Sequence, residues 1–218
     1  CQVSGMGALV KLLPGWGHSC SLWSNGTVCC CGYNSGGQLG LGHTRNINGF
    51  FDCVPLTGSA DDLFVGFDQN CATVAGQLLC WGAVGFLNFI GDEPGDIASI
   101  AAVAVPVGYS DVAMGVGFTC ALHAGQVYCW GWSKAGQLGT AARKTVRADQ
   151  VESAGPVDLG GHAAVQLAAG ATHICAQLAG GDSRCWGAGD AHFISLVTAI
   201  LEIAETELSS VPRPPASA

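Results

Sequence analysis

A unit of one glycine and two cysteines recurs four times along this chain and restricts what the chain can fold into. The first cysteine of each unit follows the glycine by five residues, and the second cysteine comes nine or ten residues later. The units are Gly15, Cys20 and Cys30; Gly66, Cys71 and Cys80; Gly115, Cys120 and Cys129; and Gly170, Cys175 and Cys185. The first cysteines are 51, 49 and 55 residues apart. A regular period of this length is typical of proteins built from stacked repeats.

Each unit reads as a β-hairpin whose turn places its two cysteines opposite each other. Where the cysteines are nine residues apart, symmetric pairing leaves Ala75-Gly76 and Ala124-Gly125 as two-residue turns. Where they are ten apart, the loops are Ser24-Asn25-Gly26 and Ala179-Gly180-Gly181, which end in the glycine that a three-residue loop needs. In a non-hydrogen-bonded antiparallel pair, the Cα atoms of opposed residues lie ~4.5 Å apart, which is within the range that a disulfide can bridge. We therefore predict the bridges Cys20–Cys30, Cys71–Cys80, Cys120–Cys129 and Cys175–Cys185.

Four further cysteines lie outside these pairs: Cys1, Cys29, Cys31 and Cys53. Strand alternation puts Cys29 and Cys31 on the face opposite Cys30, so we expect each to pair with Cys1 or Cys53 and not with the other. The matchings are Cys1–Cys31 with Cys29–Cys53, or the reverse, and an intermolecular bridge is a third alternative. Twelve cysteines in such spacings indicate an oxidising compartment, which predicts a secreted, extracellular protein.

Composition and motifs restrict the partners that we expect. The net charge is −8 and no run of Lys or Arg occurs, which argues against binding to a nucleic-acid backbone. No apolar stretch is long enough to span a bilayer. The chain also lacks a nucleophile elbow, a phosphate loop and a His-Glu helix motif. We therefore expect no catalytic residue, no metal, no cofactor, no nucleic-acid partner and no membrane span.

The order of motifs within the unit resembles the repeat of the regulator-of-chromosome-condensation family. Trp-Gly follows the second cysteine at Trp81, Trp130 and Trp186, and Cys31 takes that place in the first copy. Gly-Gln-Leu-Gly follows at residues 37–40 and again at 136–139 in the third copy. The resemblance covers about residues 8 to 205, and the paired cysteines look like the variant found in extracellular members. It implies a β-propeller, usually of seven blades.

We therefore predict an all-β fold, a partial or open β-propeller of four blade repeats plus the first strand of a fifth. The predicted parts are an N-terminal segment 1–7, repeats at 8–58, 59–108, 109–162 and 163–199, a fifth-repeat start or closing strand at 200–211, and a Pro-rich linker at 212–218. The stretch near residue 200 also fits an amphipathic helix. Four units cannot close a seven-bladed ring, and an open end exposes an unpaired edge. This predicts assembly with another copy, with more of the same chain or with another protein.

Several residues are candidates for structural or binding roles. Gly15, Gly66, Gly115 and Gly170 are assigned to tight structural turns. His18 and His173 stand two residues before a first cysteine, and we expect them to cap these turns by hydrogen bonds. Trp16 and Trp132 fall outside the repeat pattern, which indicates either an interface or packing beneath a loop. Asn25-Gly26-Thr27 is an N-glycosylation sequon at a hairpin tip, although Asn-Gly is also a preferred turn.

These observations favour a non-catalytic secreted scaffold or protein-interaction propeller, a structural component of an extracellular or cell-surface assembly. A secreted inhibitor or receptor-like binding propeller is the alternative. The family resemblance implies a third hypothesis, guanine-nucleotide exchange on a small GTPase. The cysteine pattern, the acidic balance and the small number of repeats oppose that third hypothesis.

Overall fold

The computed structural model describes residues 6–82, 101–102, 108–140, 146 and 150–188. In this part of the chain, fourteen strands form four antiparallel sheets, and one short helix, α1 (Val151–Ala154), lies between the third and fourth sheets. The sheets are the blades of an open β-propeller, which confirms the predicted fold class. The expected strand at 200–211, the linker at 212–218 and Cys1 lie outside the described residues.

Each blade is a meander of strands that are adjacent in sequence. Blade 1 contains β1 (Leu9–Pro14), β2 (His18–Trp23), β3 (Val28–Gly32) and β4 (Ile47–Cys53). Blade 2 contains β5 (Ala60–Val65), β6 (Gln69–Val74), β7 (Gln77–Gly82) and β8 (Ala101–Ala102). Blade 3 contains β9 (Tyr109–Gly115), β10 (Phe118–His123) and β11 (Gln126–Gly131). Blade 4 contains β12 (Ala164–Ala169), β13 (His173–Leu178) and β14 (Ser183–Gly187).

The hairpin turns have the backbone geometry that their sequences require. In the two-residue turns, Ala75 and Ala124 have φ values of 50° and 48°, and the glycine after each also has a positive φ. A two-residue turn with positive φ at both positions has a backbone twist that matches the right-handed twist of the flanking strands. In the three-residue loops, Gly26 and Gly181 take up the left-handed conformation, with φ values of 79° and 90°.

These turns set the registers that bring the paired cysteines together. The first and second cysteines of each unit are direct partners across the hairpin, with Cα–Cα distances of 4.0 to 4.1 Å. The structure contains the bridges Cys20–Cys30, Cys71–Cys80, Cys120–Cys129 and Cys175–Cys185.

A fifth bridge, Cys29–Cys53, joins β3 to β4 on the other face of blade 1. Of the two matchings left open by the sequence, the structure therefore contains the one with Cys29–Cys53. Cys31 has no disulfide partner among the described residues, and burial raises the pKa of its thiol. Pairing of Cys31 with Cys1 stays a prediction.

The hydrophobic core lies in layers between blades, because strand alternation gives every blade two apolar faces. Blade 2 shows both faces. Leu63 and Trp81 pack with blade 1, whereas the Cys71–Cys80 pair packs with blade 3. The bridges Cys20–Cys30, Cys71–Cys80 and Cys120–Cys129 are therefore part of the hydrophobic core. No helix in the described part of the chain is long and apolar enough to cross a bilayer.

The two Gly-Gln-Leu-Gly segments link each odd-numbered blade to the blade that follows it. The Trp81 indole Nε1 donates a hydrogen bond to the Gln38 main-chain oxygen at 3.1 Å. The Trp186 indole Nε1 donates in the same way to Gln137 at 3.0 Å. The Trp-Gly and Gly-Gln-Leu-Gly motifs are thus two halves of one interblade contact.

Candidate functional site

The loops between the first and second strands of the four blades meet at one end of the propeller. We call these loops the axial loops and the surface that they form the axial face: residues 14–18, 65–69, 114–118 and 169–173. They border a depression of about 310 Å³ that is lined by residues of all four blades, including Trp16, Phe67, Met114 and Ala171. Every blade contributes an equivalent loop to this surface.

Main-chain hydrogen bonds close the axial loops, and glycines let them approach each other. The Gly15 N–H donates to the His18 carbonyl at 2.8 Å, and Gly170 donates to His173 at 2.9 Å. A Cβ on Gly15 would lie only 2.8 Å from the main-chain oxygen of Gly66 in the next blade. A side chain there would therefore push two blades apart, so this glycine is needed for the close approach of blades 1 and 2.

The histidines of the axial loops differ from expectation, because the main chain already closes the turns. The His18 Nε2 donates to the Asn70 Oδ1 of blade 2 at 3.0 Å, so its hydrogen bond joins two blades instead of capping its own loop. Burial lowers the pKa of His18. His173 is buried as well, and its Nε2 has no hydrogen-bond partner among the described residues.

Three aromatic side chains form what we call the aromatic patch of the axial face: Trp16, Tyr33 and Phe67. Trp16 is 69% exposed, the largest exposure of any large apolar side chain in the described part of the chain. Its ring stacks on Phe67, with centroids 5.2 Å apart, and meets Tyr33 edge-on at 6.5 Å. Phe67 holds the repeat position of Trp16, directly after the loop glycine, so an alignment of the loops identifies both residues.

Trp132 lies at the margin of the axial face and follows the repeat after all. Its N–H donates to the Gly117 oxygen at 2.8 Å, as the Tyr33 N–H does to Gly17. Tyr33 and Trp132 therefore hold equivalent repeat positions. In the sequence, each directly follows the glycine that comes two residues after the second cysteine of its unit. The Lys134 Nζ lies 5.4 Å from the Trp132 ring centre. Interface roles for Trp16 and Trp132 stay predictions.

Asp68 is the single Asp, Glu, Lys or Arg residue within the axial loops. Its Oδ1 is buried and has no hydrogen-bond partner in the described part of the chain. Burial raises the pKa of this carboxyl group to about 6. Sequence reasoning missed Asp68, because nothing in the local pattern shows that the loop around it packs against other blades.

Asn25 lies at the tip of the β2–β3 hairpin, at the opposite end of the strands from the axial loops. The side chain is exposed, and its Oδ1 accepts a hydrogen bond of 3.0 Å from the Thr27 N–H. This contact is the Asx turn that Asn-Gly favours. Glycosylation of Asn25 stays a prediction.

Comparisons with known proteins agree with the repeat and the fold. Residues 124–177 match the model of the regulator of chromosome condensation repeat. The bovine secretion-regulating guanine nucleotide exchange factor is 37% identical over 82 residues, which are 37% of this chain and 18% of the relative. The structure of human WBSCR16 superposes with a TM-score of 0.64 at 23% identity, over 83% of this chain and 48% of that one. The structure of yeast RCC1 (Prp20) bound to Kap60 superposes with a TM-score of 0.64 at 22% identity, over 82% of this chain and 43% of that one.

The chain thus spans about a fifth of the curated relative and less than half of the two solved propellers.

The relatives contradict two of our expectations: that the chain is a non-catalytic secreted scaffold or binding propeller, and that it is not an enzyme. Matching proteins from cattle and mouse are named guanine nucleotide exchange factors, and none of these relatives is named as a secreted scaffold, inhibitor or receptor. Exchange factors act catalytically on GTPases, so the expectation of a non-enzyme is wrong as well. Residues 124–177 therefore match the regulator of chromosome condensation repeat, and the described sheets have the fold of the RCC1-type β-propellers.

Proposed function

We propose that the chain is part of a guanine nucleotide exchange factor and that its axial face binds a GTP-binding protein. The observation that carries this proposal is the 37% identity over 82 residues to a protein named for that activity. The repeat match and the propeller fold support it.

The chemistry of exchange agrees with the absence of a catalytic motif in the sequence. An exchange factor breaks no covalent bond, because it only has to bind the nucleotide-free partner more tightly than the nucleotide-bound one. It therefore needs a complementary protein surface and no nucleophile or general base. An activity of this kind therefore leaves no catalytic motif in the sequence.

The axial face supports binding of a protein for two reasons. It carries exposed aromatic side chains, which are enriched at the energetic centres of protein interfaces. It also surrounds an apolar depression on a frame of backbone hydrogen bonds, so that binding would order few groups anew.

An exchange assay tests the proposal. Small GTP-binding proteins loaded with a fluorescent GDP analogue are mixed with substoichiometric chain and excess GTP, and release is followed by fluorescence. We expect release from at least one of them to rise tenfold or more, and Trp16→Ala to remove most of the increase. Gln77→Ala, an exposed change at the opposite end of the strands, is the matched control. No stimulation across a broad panel would contradict the proposal.

We propose separately that the chain folds in an oxidising compartment, as a secreted protein does, and carries a glycan on Asn25. Five disulfides support this, because cytosolic thiols stay reduced. The test is mass spectrometry of alkylated protein from its native source, before and after glycosidase treatment. Free thiols at Cys71 and Cys80 would contradict the compartment, and an unmodified Asn25 would contradict the glycan. Neither outcome affects the exchange assay.

A further inference from the structure

Two aromatic groups flank the axial face, and they differ in their relation to a cation. In repeat 3, Trp132 has the Lys134 Nζ 5.4 Å from its ring centre, so the repeat supplies a cation to its own indole. In repeat 1, the residue equivalent to Lys134 is Ser35, two positions after Tyr33. The aromatic patch therefore has no cation at the position that Lys134 holds in repeat 3.

The charges around the aromatic patch favour a basic ligand. Asp68 directly follows Phe67, and no axial loop contains a Lys or Arg residue. The Asp68 Oδ1 lacks a hydrogen-bond donor in the described part of the chain, so a nearby positive charge would stabilise the carboxylate. The whole chain has sixteen acidic and eight basic residues, which adds a general attraction for basic partners.

The geometry of Trp16 leaves a binding surface on the indole. One side of the ring stacks on Phe67 and its edge region meets Tyr33, while 69% of the residue remains exposed. Tryptophan is the aromatic side chain that attracts cations most strongly, and arginine is the most frequent partner. The apolar depression begins at the same residue, so a flanking aliphatic side chain has a place beside it.

We propose that the aromatic patch binds a basic segment of a partner protein, with an arginine or lysine side chain on Trp16 and an adjacent aliphatic side chain in the axial depression. This inference rests on the proposed function, because it names the chemistry of the segment that the axial face receives. In effect, the partner supplies the cation that Lys134 supplies in repeat 3.

The test uses two matched peptides, acetyl-Gly-Leu-Arg-Leu-Gly-amide and the same peptide with glutamate in place of arginine. Each is titrated into ¹⁵N-labelled chain, and the indole Nε1–H signals are followed by NMR. The Trp16 signal is assigned from the spectrum of Trp16→Phe. We expect the arginine peptide to shift the Trp16 signal in a saturable manner and the glutamate peptide to bind at least tenfold more weakly.

Variants assign the contact. Trp16→Ala should weaken binding of the arginine peptide by about 2- to 30-fold, the range of a cation–aromatic contact. Trp16→Phe should retain part of the affinity, and Gln77→Ala should retain all of it. Ser35→Lys should weaken binding, because it places a cation where repeat 3 has one. Urea unfolding of each variant establishes that it is folded, as expected for changes at exposed positions.

Three results would overturn the inference: equal binding of both peptides, unchanged binding by Trp16→Ala, or no shift of the Trp16 signal at all. The exchange assay is independent of these results. A chain that binds neither peptide but still releases GDP from a GTP-binding protein would refute the basic segment and leave the exchange function intact.

Discussion

The junction between blades 1 and 2 and the junction between blades 3 and 4 use the same backbone contacts with different side chains. At both, a Trp indole donates to the glutamine of the preceding Gly-Gln-Leu-Gly segment. At both, neighbouring axial loops share a main-chain hydrogen bond, from Trp16 to Phe67 at 3.1 Å and from Val116 to Ala171 at 2.8 Å. These shared contacts are made by the motifs that recur in the sequence.

The side chains inside the two junctions have opposite character. The first junction contains the hydrogen-bonded pair His18 and Asn70, and the Asn70 Nδ2 also donates to the Gln38 oxygen. The equivalent residues of the other junction are Phe118 and Ile174, both buried. A polar pair joined by a hydrogen bond and an apolar pair that needs none are both compatible with one backbone. The repeat motif therefore sets how blades are joined and leaves the chemistry of each junction free to vary.

The largest effect should come from removing the tryptophan of each junction. Trp81 is fully buried, so Trp81→Ala should lower the free energy of unfolding by about 3–5 kcal/mol. Trp186 is only partly buried, so Trp186→Ala should lower the free energy of unfolding by about half as much as Trp81→Ala does. Urea unfolding of the two variants measures the difference. Equal losses would show that the two junctions are packed alike.

A smaller effect should follow from converting the polar junction into the apolar one. Asn70→Ile alone leaves the buried His18 Nε2 without its partner, which should cost about 1–3 kcal/mol, whereas the Gln38 oxygen keeps the hydrogen bond from Trp81. The double variant His18→Phe with Asn70→Ile should recover most of that loss, because it reproduces the pair found between blades 3 and 4. A double-mutant cycle by urea unfolding measures the coupling. Additive losses would mean that the two pairs are not interchangeable.

The polar junction should also make stability depend on pH. Burial lowers the pKa of His18 below its ordinary value of 6.5, so at acidic pH the unfolded chain binds more protons than the folded one. Stability from this group is therefore lost as pH falls below 6.5 and is constant above it. Asp68 acts in the opposite direction, because its raised pKa makes stability fall as pH rises from 3.8 to about 6.

The double variant separates the two groups, since it removes His18 and keeps Asp68. Between pH 5 and pH 7.5, we expect the wild-type chain to gain more stability than the double variant, as measured by urea unfolding at each pH. The same gain in both proteins would show that His18 does not titrate with folding.

The smallest effect should come from the hairpin turns, where the two junctions share a strained feature. Ala75 and Ala124 both have positive φ, a conformation that asparagine tolerates better than alanine. Ala75→Asn and Ala124→Asn should each raise the unfolding free energy by a few tenths of a kcal/mol to about 1 kcal/mol. Thermal unfolding measures the change, and Gln77→Ala is the control. A decrease would mean that the turns do not keep this geometry in solution.

Much of the fold follows from the sequence because it depends on local geometry. The lengths of the loops around Gly26 and Gly76 set the hairpin registers, and the registers place Cys20 opposite Cys30 and Cys71 opposite Cys80. The matching that includes Cys29–Cys53 could not be chosen in this way, because β4 lies beyond a long connection whose register no short turn sets. The histidine interpretation failed for a related reason, since the partner of His18 is 52 residues away.

By itself, the amino-acid sequence determined the repeat, the hairpins, their cysteine pairs and the resemblance to a propeller repeat, because each depends on residues that are close along the chain. Only the tertiary structure decided which residues of different repeats meet: His18 with Asn70, Trp16 with Phe67, and four axial loops around one depression. The physical reason is that blades associate through side chains about fifty residues apart, whose contacts depend on how whole sheets pack and not on any local hydrogen-bond register.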